Sequence, residues 1–202
     1  MKLFYTILLV LAGYVATAQD ASVQTYVKEM KSTRKKKDAE FKKGEKSPIL
    51  QEERRKFKGL HYFPANTLYE VEATFIRDSS QVPFKMKTST DRLPEYVKYG
   101  VLHFNLSGKP YALTVYQNLE LVLKPEYKDY LFVPFMDETN GFDSYGGGRY
   151  LDFRIPADST VTVDFNLAYN PYCAYSLKYS CPIPPAENHL KVKIEAGEKS
   201  YK

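Results

Sequence analysis

From Leu68 onward, short runs of apolar residues alternate with polar ones or cluster as β-branched and aromatic stretches: LYEVEATF, VPFKMKT, VLHFNL, YALTVYQ, YLFVPF, RYLDFRI, VTVDFN and LKVKIEA. Each is four to eight residues long and bounded by Gly, Pro, Asn or Asp, the pattern of a strand rather than a helix. Ser107-Gly108-Lys109-Pro110, between two of these runs, reads as a hairpin turn. Short connections imply antiparallel pairing, so the pattern predicts a mainly β fold: an antiparallel sandwich or barrel of about eight strands. Before Leu68 the period changes. Val23, Tyr26, Val27, Met30, Ala39 and Phe41 recur at helical spacing, and Ser47-Pro48 with Gly59 brackets a second short helix over about 48–57. One or two N-terminal helices therefore precede the strands.

The first 18 residues, MKLFYTILLVLAGYVATA, follow a different logic. Lys2, an apolar run from Leu3 to Val15 and the small residues Ala16-Thr17-Ala18 make up a secretory signal peptide. The expected mature chain begins at Gln19 and is exported, periplasmic or secreted. No later stretch approaches the roughly 20 apolar residues of a spanning helix. The predicted organisation is a signal peptide (1–18), a basic helical segment (19–58) and a β-rich region (59–202), the last two packed as one domain.

Charge changes the picture only locally. The chain carries a net +5, and residues 28–46 alone hold nine Lys or Arg against four Asp or Glu. Such a segment attracts phosphates, yet it lacks interleaved aromatics and belongs to a chain expected to be exported. Nucleic acid is therefore not an expected partner, and the segment reads as an amphipathic helix with a solvated cationic face. Aromatic content is high, with 18 Tyr and 12 Phe but no Trp, which suits strands and supplies rings whose hydroxyls need partners.

Candidate chemistry gathers in the last third. Gly146-Gly147-Gly148 leads into Arg149, a cation able to pair an anionic ligand group; no helix follows, so this is no phosphate-binding loop of the strand-to-helix kind. Asp137, Glu138, Asp143, Asp152, Asp158 and Asp164 offer carboxylates without ligand spacing for a metal, and no cofactor motif is found. Residues 164–190, DFNLAYNPYCAYSLKYSCPIPPAENHL, are neither clean strand nor clean helix and hold four prolines, four tyrosines and both cysteines of the chain. Cys173 and Cys181 can close a local disulfide or remain thiols; their spacing is not a standard zinc spacing.

Thr139, Gly146 to Asp152, Asp164-Phe165-Asn166, Ala168 to Pro171, Cys173-Ala174-Tyr175, Cys181-Pro182, Pro184-Pro185, Glu187-Asn188 and Ala196 to Lys199 together resemble the bacterial family known as domain of unknown function 1684. The resemblance covers most of the chain after about residue 25 and departs at His189, where the family has Arg. It implies a coherent fold and no reaction. It also implies that the cysteines need not bridge, because members without a signal peptide carry the same pair.

These residues lead to a binding module for a small molecule or envelope component. Arg149, Asp152, Asp164, Asn166, Asn170, Glu187 and Asn188 would supply polar contacts, between walls formed by Tyr169 and Tyr175. Two other classes stand beside it: a hydrolase-like enzyme using Asp164 or Glu187 as base, or Cys173 as nucleophile, and a structural envelope protein without a small ligand.

Overall fold

The structure, a computed structural model, describes the backbone of residues 2–201 and the side chains from Asp20 to Tyr201. The predicted signal peptide, residues 1–18, lies outside the described side chains. Among the described residues one α-helix, α1 (Lys2–Lys43), is followed by seven strands: β1 (Glu70–Arg77), β2 (Phe84–Lys85), β3 (Glu95–Leu106), β4 (Lys109–Asn118), β5 (Tyr130–Phe135), β6 (Arg149–Arg154) and β7 (Thr160–Asp164). All pair antiparallel in one sheet ordered β6-β5-β4-β3-β1-β7, with short β2 added beside the start of β3. Among the residues whose side chains are described, from Asp20 onward, no helix is long and apolar enough to cross a membrane.

Strands β6 and β7 are consecutive in the chain yet occupy opposite edges of the sheet. The sheet curls until, just past β7, Tyr169 meets Tyr150 of β6 and the two exchange both main-chain hydrogen bonds, at 2.9 and 3.0 Å. The result is a half-barrel, not the predicted sandwich or closed barrel. The hairpin turn at Ser107-Gly108 is as expected: both residues have positive φ, 51° and 76°, which matches the right-handed twist of the flanking strands.

Two further expectations are corrected. Residues 190–196 alternate like a strand, and Leu190, Ile194 and Ala196 do point into the core, but they join no sheet. The carbonyls of Ile194 and Ala196, which a neighbouring strand would engage, are taken by the buried guanidinium of Arg149. The second helix, 48–57, is a succession of turns. Ser47 ends α1 there, donating to the Phe41 carbonyl (2.6 Å) and accepting from the Ile49 amide (3.2 Å), and Arg54 fills the carbonyls of Ile49 and Gly44 that a helix would have used itself.

The inner face of the sheet carries the main core, including Leu102, Phe104, Leu113, Val133, Phe135 and Phe165, plugged by the C-terminal segment. Helix α1 docks with an unusual seam: Tyr26, Met30, Arg34, Lys37 and Phe41 face inward, at spacings of three or four residues. Arg34 donates to the Phe63 carbonyl (2.8 Å) and lies over the Tyr62 ring, and Lys37 pairs with buried Glu198 at 2.7 Å. Val27 and Ala39 are instead exposed. The solvated cationic face expected of the helix is present, formed by Lys28, Lys31, Lys35, Lys42 and Lys43.

A tyrosine-lined candidate binding cleft

On a half-barrel whose inner face is the core, the outer face would ordinarily be polar and wet. One end of this sheet breaks that rule. Because side chains alternate along a strand, the inward positions Leu131, Val133 and Phe135 of β5 place Tyr130 and Phe132 outside, and inward Leu151 on β6 places Tyr150 and Asp152 outside. On β3 a bulge between Lys98 and Gly100 reverses the phase, so that Tyr99 joins Leu102 and Phe104 inside while Tyr96 turns outward. Tyr96, Phe132 and Tyr150 are buried although they are on the outer face, and Phe132 and Tyr150 pack edge to face at 4.7 Å.

These rings floor a cleft of about 660 Å³, within the size range of small-molecule sites. Helix α1 forms one wall with Lys36, Lys37, Glu40 and Phe41, and Tyr179 to Pro182 form the lip. At its side stands Asp152. The hydroxyls of Tyr130 (2.7 Å) and Tyr169 (2.6 Å) both donate to Oδ1 of its carboxylate, and neither uses Oδ2. Burial, reinforced by the Asp152 charge, raises the ionisation of both tyrosines far above the ordinary range, so each stays a fixed donor. Lys37 Nζ sits 4.6 Å from the Tyr169 ring centre, so this wall already accommodates one cation face-on. A smaller hollow of about 370 Å³ opens at the seam between the sheet edges, with Asp152 and Asp164 on its rim.

Of the predicted site residues, Asp152, Tyr169 and Cys181 come together at the cleft. Arg149 does not: its side chain is wholly buried, bonded to Asp137 (2.6 Å) and to the carbonyls of Ile194, Ala196 and Glu198. The three asparagines have become surrogate backbone. The side-chain amide of Asn166 pairs with the main chain of Asn66, accepting from N–H and donating to C=O, both at 2.9 Å. Asn188 does the same for Thr114 (2.7 and 2.8 Å) and also donates to the Pro134 carbonyl at 2.7 Å. The reason is local: β4 and β5 are in register at Tyr116 and Phe132, which sets Thr114 opposite Pro134, and proline has no N–H to give. Asn170 donates its amide to the Lys199 carbonyl and its backbone N–H to Glu198, which also accepts from Tyr175 at 2.6 Å. Asp164 is held by Tyr26 and Asn166. Glu187 lies outside the cleft, bonded to Lys98 (2.8 Å) and Tyr116 (2.9 Å); burial opposes its ionisation, but these bonds prevail and hold the carboxyl below its ordinary range. Both cysteines are free thiols.

Sequence reasoning missed Tyr96, Tyr130, Phe132, Tyr150 and Lys37. The signal was present in YLFVPF and RYLDF, where aromatic residues take both phases of the alternation, as strands covered on both faces require.

Comparison with known families places residues 55–199 within a family described as "Protein of unknown function (DUF1684)". The chain belongs to this family. Among solved structures it is similar to an uncharacterized protein of Haloarcula marismortui determined by solution NMR, with 38% identity and a TM-score of 0.67 over 89% of this chain and 97% of that one. A search of curated proteins gives no match. Both similarities support the fold and neither carries a reaction, so the functional reading of this DUF1684 member rests on its cleft.

Proposed function

We propose that this protein binds a small organic molecule in the tyrosine-lined cleft, with Asp152 as the polar anchor. The observation that carries the reading is the aromatic outer face: rings where solvent-facing polar residues are expected, around a carboxylate fixed by two tyrosine hydroxyls with Oδ2 unused by either. Such a site takes a ligand with a flat or aliphatic face against the rings and a hydrogen-bond donor or cationic group on Asp152. The hydrolase-like alternative through Asp164 or Glu187 has less support, because both carboxylates are engaged by other side chains. Export remains part of the proposal, on the strength of residues 1–18.

The test is a thermal-shift screen of amines, polyols, sugars and aromatic acids on the chain from Gln19, with Asp152→Asn and Phe132→Ala alongside. A ligand at about 100 times its Kd adds about 2.7 kcal/mol, equivalent to roughly 5–10 °C for a chain of this size. The expected result is a shift with a donor-bearing ligand that Asp152→Asn abolishes. A silent panel, or shifts unchanged in both variants, sinks the proposal.

A further inference from the structure

Cys173 and Cys181 bound the excursion 174–180, whose far end forms the cleft lip. The fold holds the two thiols against each other. The backbone N–H of Cys173 donates to Cys181 Sγ at 3.1 Å, and the Tyr145 hydroxyl lies 3.7 Å from Cys173 Sγ. Cys181 is clamped in turn: its N–H donates to Ser89 Oγ (3.1 Å), its carbonyl accepts from the Ser89 N–H (2.9 Å), and Arg92 donates to the neighbouring Ser180 carbonyl at 3.0 Å. The titratable and charged groups facing the pair are Tyr145, Tyr150 and Arg92.

The environment treats the thiols unequally. A hydrogen bond from Cys181 outweighs burial and, with others from Tyr145 and Ser89, brings Cys173 down to about 6. The same contact, together with burial, pushes Cys181 up. Cys173 is half-buried and Cys181 buried, so the less buried residue of the pair is also the one whose thiol is lowered.

We infer that Cys173 and Cys181 form a dithiol exchange site in which Cys173 is the attacking thiol and Cys181 the resolving one, reacting with low-molecular-weight disulfides to close an intrachain bridge at the lip of the cleft. The Cys173 thiolate attacks one sulfur of a disulfide RSSR, forming Cys173–S–S–R and expelling RS⁻. Cys181 then gives up its proton to solvent and attacks the Cys173 sulfur, expelling the second RS⁻. The pair loses two electrons, which reduce RSSR to two thiols. In an oxidising compartment the bridge persists, and in a reducing one it opens. This inference stands independently of the cleft's ligand.

The reduced protein is treated with oxidised glutathione and followed by intact mass and peptide mapping. Wild type is expected to lose the mass of two hydrogens with a linked Cys173–Cys181 peptide. Cys181→Ser is expected to stop at a glutathione adduct on Cys173, and Cys173→Ser to react more slowly than wild type. In wild type, brief iodoacetamide labelling between pH 5 and 9 is expected on Cys173 first, with a midpoint below that of an ordinary thiol. A first adduct on Cys181, a wild-type product that remains a mixed disulfide, or exchange no faster than in the urea-unfolded chain overturns the inference. Because wild type alone reports each of these, the conclusion survives a variant that fails to fold.

Discussion

Replacing Arg149 with Met removes the most heavily bonded side chain of the core while keeping much of its volume. The guanidinium and the Asp137 carboxylate are both fully buried and 2.6 Å apart, and the guanidinium also serves the carbonyls of Ile194, Ala196 and Glu198. Truncating one partner of a buried ion pair costs about 3–5 kcal/mol, because the other charge is left uncompensated. Three carbonyls lose a donor as well, which sets the expected loss at about 4 kcal/mol or more. At roughly 2–4 °C per kcal/mol for a chain of this size, the midpoint falls by about 8–16 °C. Adding Asp137→Asn should restore part of the loss, since it removes the stranded charge while its Oδ1 can still accept from the amides of Thr139 and Ile194. Urea denaturation of the wild type, both single variants and the double variant measures the coupling directly. The reasoning is refuted if Arg149→Met costs under about 1 kcal/mol, or if the double variant simply adds the two single losses.

Asn188→Ala should cost about 2–4 kcal/mol by denaturation, since it strands the half-buried main chain of Thr114 and the buried Pro134 carbonyl, and the Thr114 amide should lose hydrogen-exchange protection. Gly108 and Gly197 share a φ of 76°, but a Cβ at Gly108 meets open space and one at Gly197 lies 2.6 Å from the Ala168 carbonyl oxygen; Gly197→Ala should therefore cost at least about 1 kcal/mol more than Gly108→Ala. For Glu187, whose folded pKa is depressed, the stabilisation is present above the ordinary glutamate range and is lost as pH falls through the folded value. In Lys98→Ala, NMR titration should show the Glu187 carboxyl moving back upward, and an unmoved titration would mean that Lys98 contributes nothing. Deleting residues 1–18, the expected signal peptide, keeps the whole Tyr26–Phe41 seam and should leave the denaturation midpoint in place.

The strands were legible because period-2 alternation is a local property, and seven of the eight runs became strands. Residues 190–196 misled because alternation reports which side chains are buried and says nothing about what the backbone pairs with; here a guanidinium takes the place of a strand. The same blindness hid the role of Asn166 and Asn188, whose amides complete main chains about 100 and 74 positions away. Arg149 looked like a ligand contact because a charge after glycines suggests an anion site, and its true partner, Asp137, is recognisable only once β5 and β6 pair. Asp152 and Tyr169 were found as types of residue suited to binding. The cleft was not, because it depends on a bulge that rotates Tyr96 outward and on a helix whose seam carries Arg34 and Lys37.

The way the cleft is held determines how it should bind. Its floor is sheet, its side carboxylate is fixed by two tyrosines, and Tyr150 donates to the Pro182 carbonyl, which ties floor to lip. The lip is bound from behind as well, through Thr88, Thr90 and Arg92 on Ser180 and Ser89 on Cys181. The α1 wall is fixed through Lys37 and Glu198, a carboxylate that simultaneously gathers Asn170 and Tyr175. With each wall anchored to a different part of the core, little conformational entropy remains to be lost on binding. Ligand-free and ligand-bound structures should then superpose at the cleft to within about 1 Å in Cα position, as for other preformed sites. Lys37→Met should weaken binding by loosening the helix wall while leaving the aromatic floor intact, so a ligand found by the thermal screen should lose affinity in Lys37→Met yet keep its contacts to Phe132 and Tyr150. If instead Lys37→Met tightens binding, the Lys37 ammonium over Tyr169 is a competitor for the cation position and the wall is a gate.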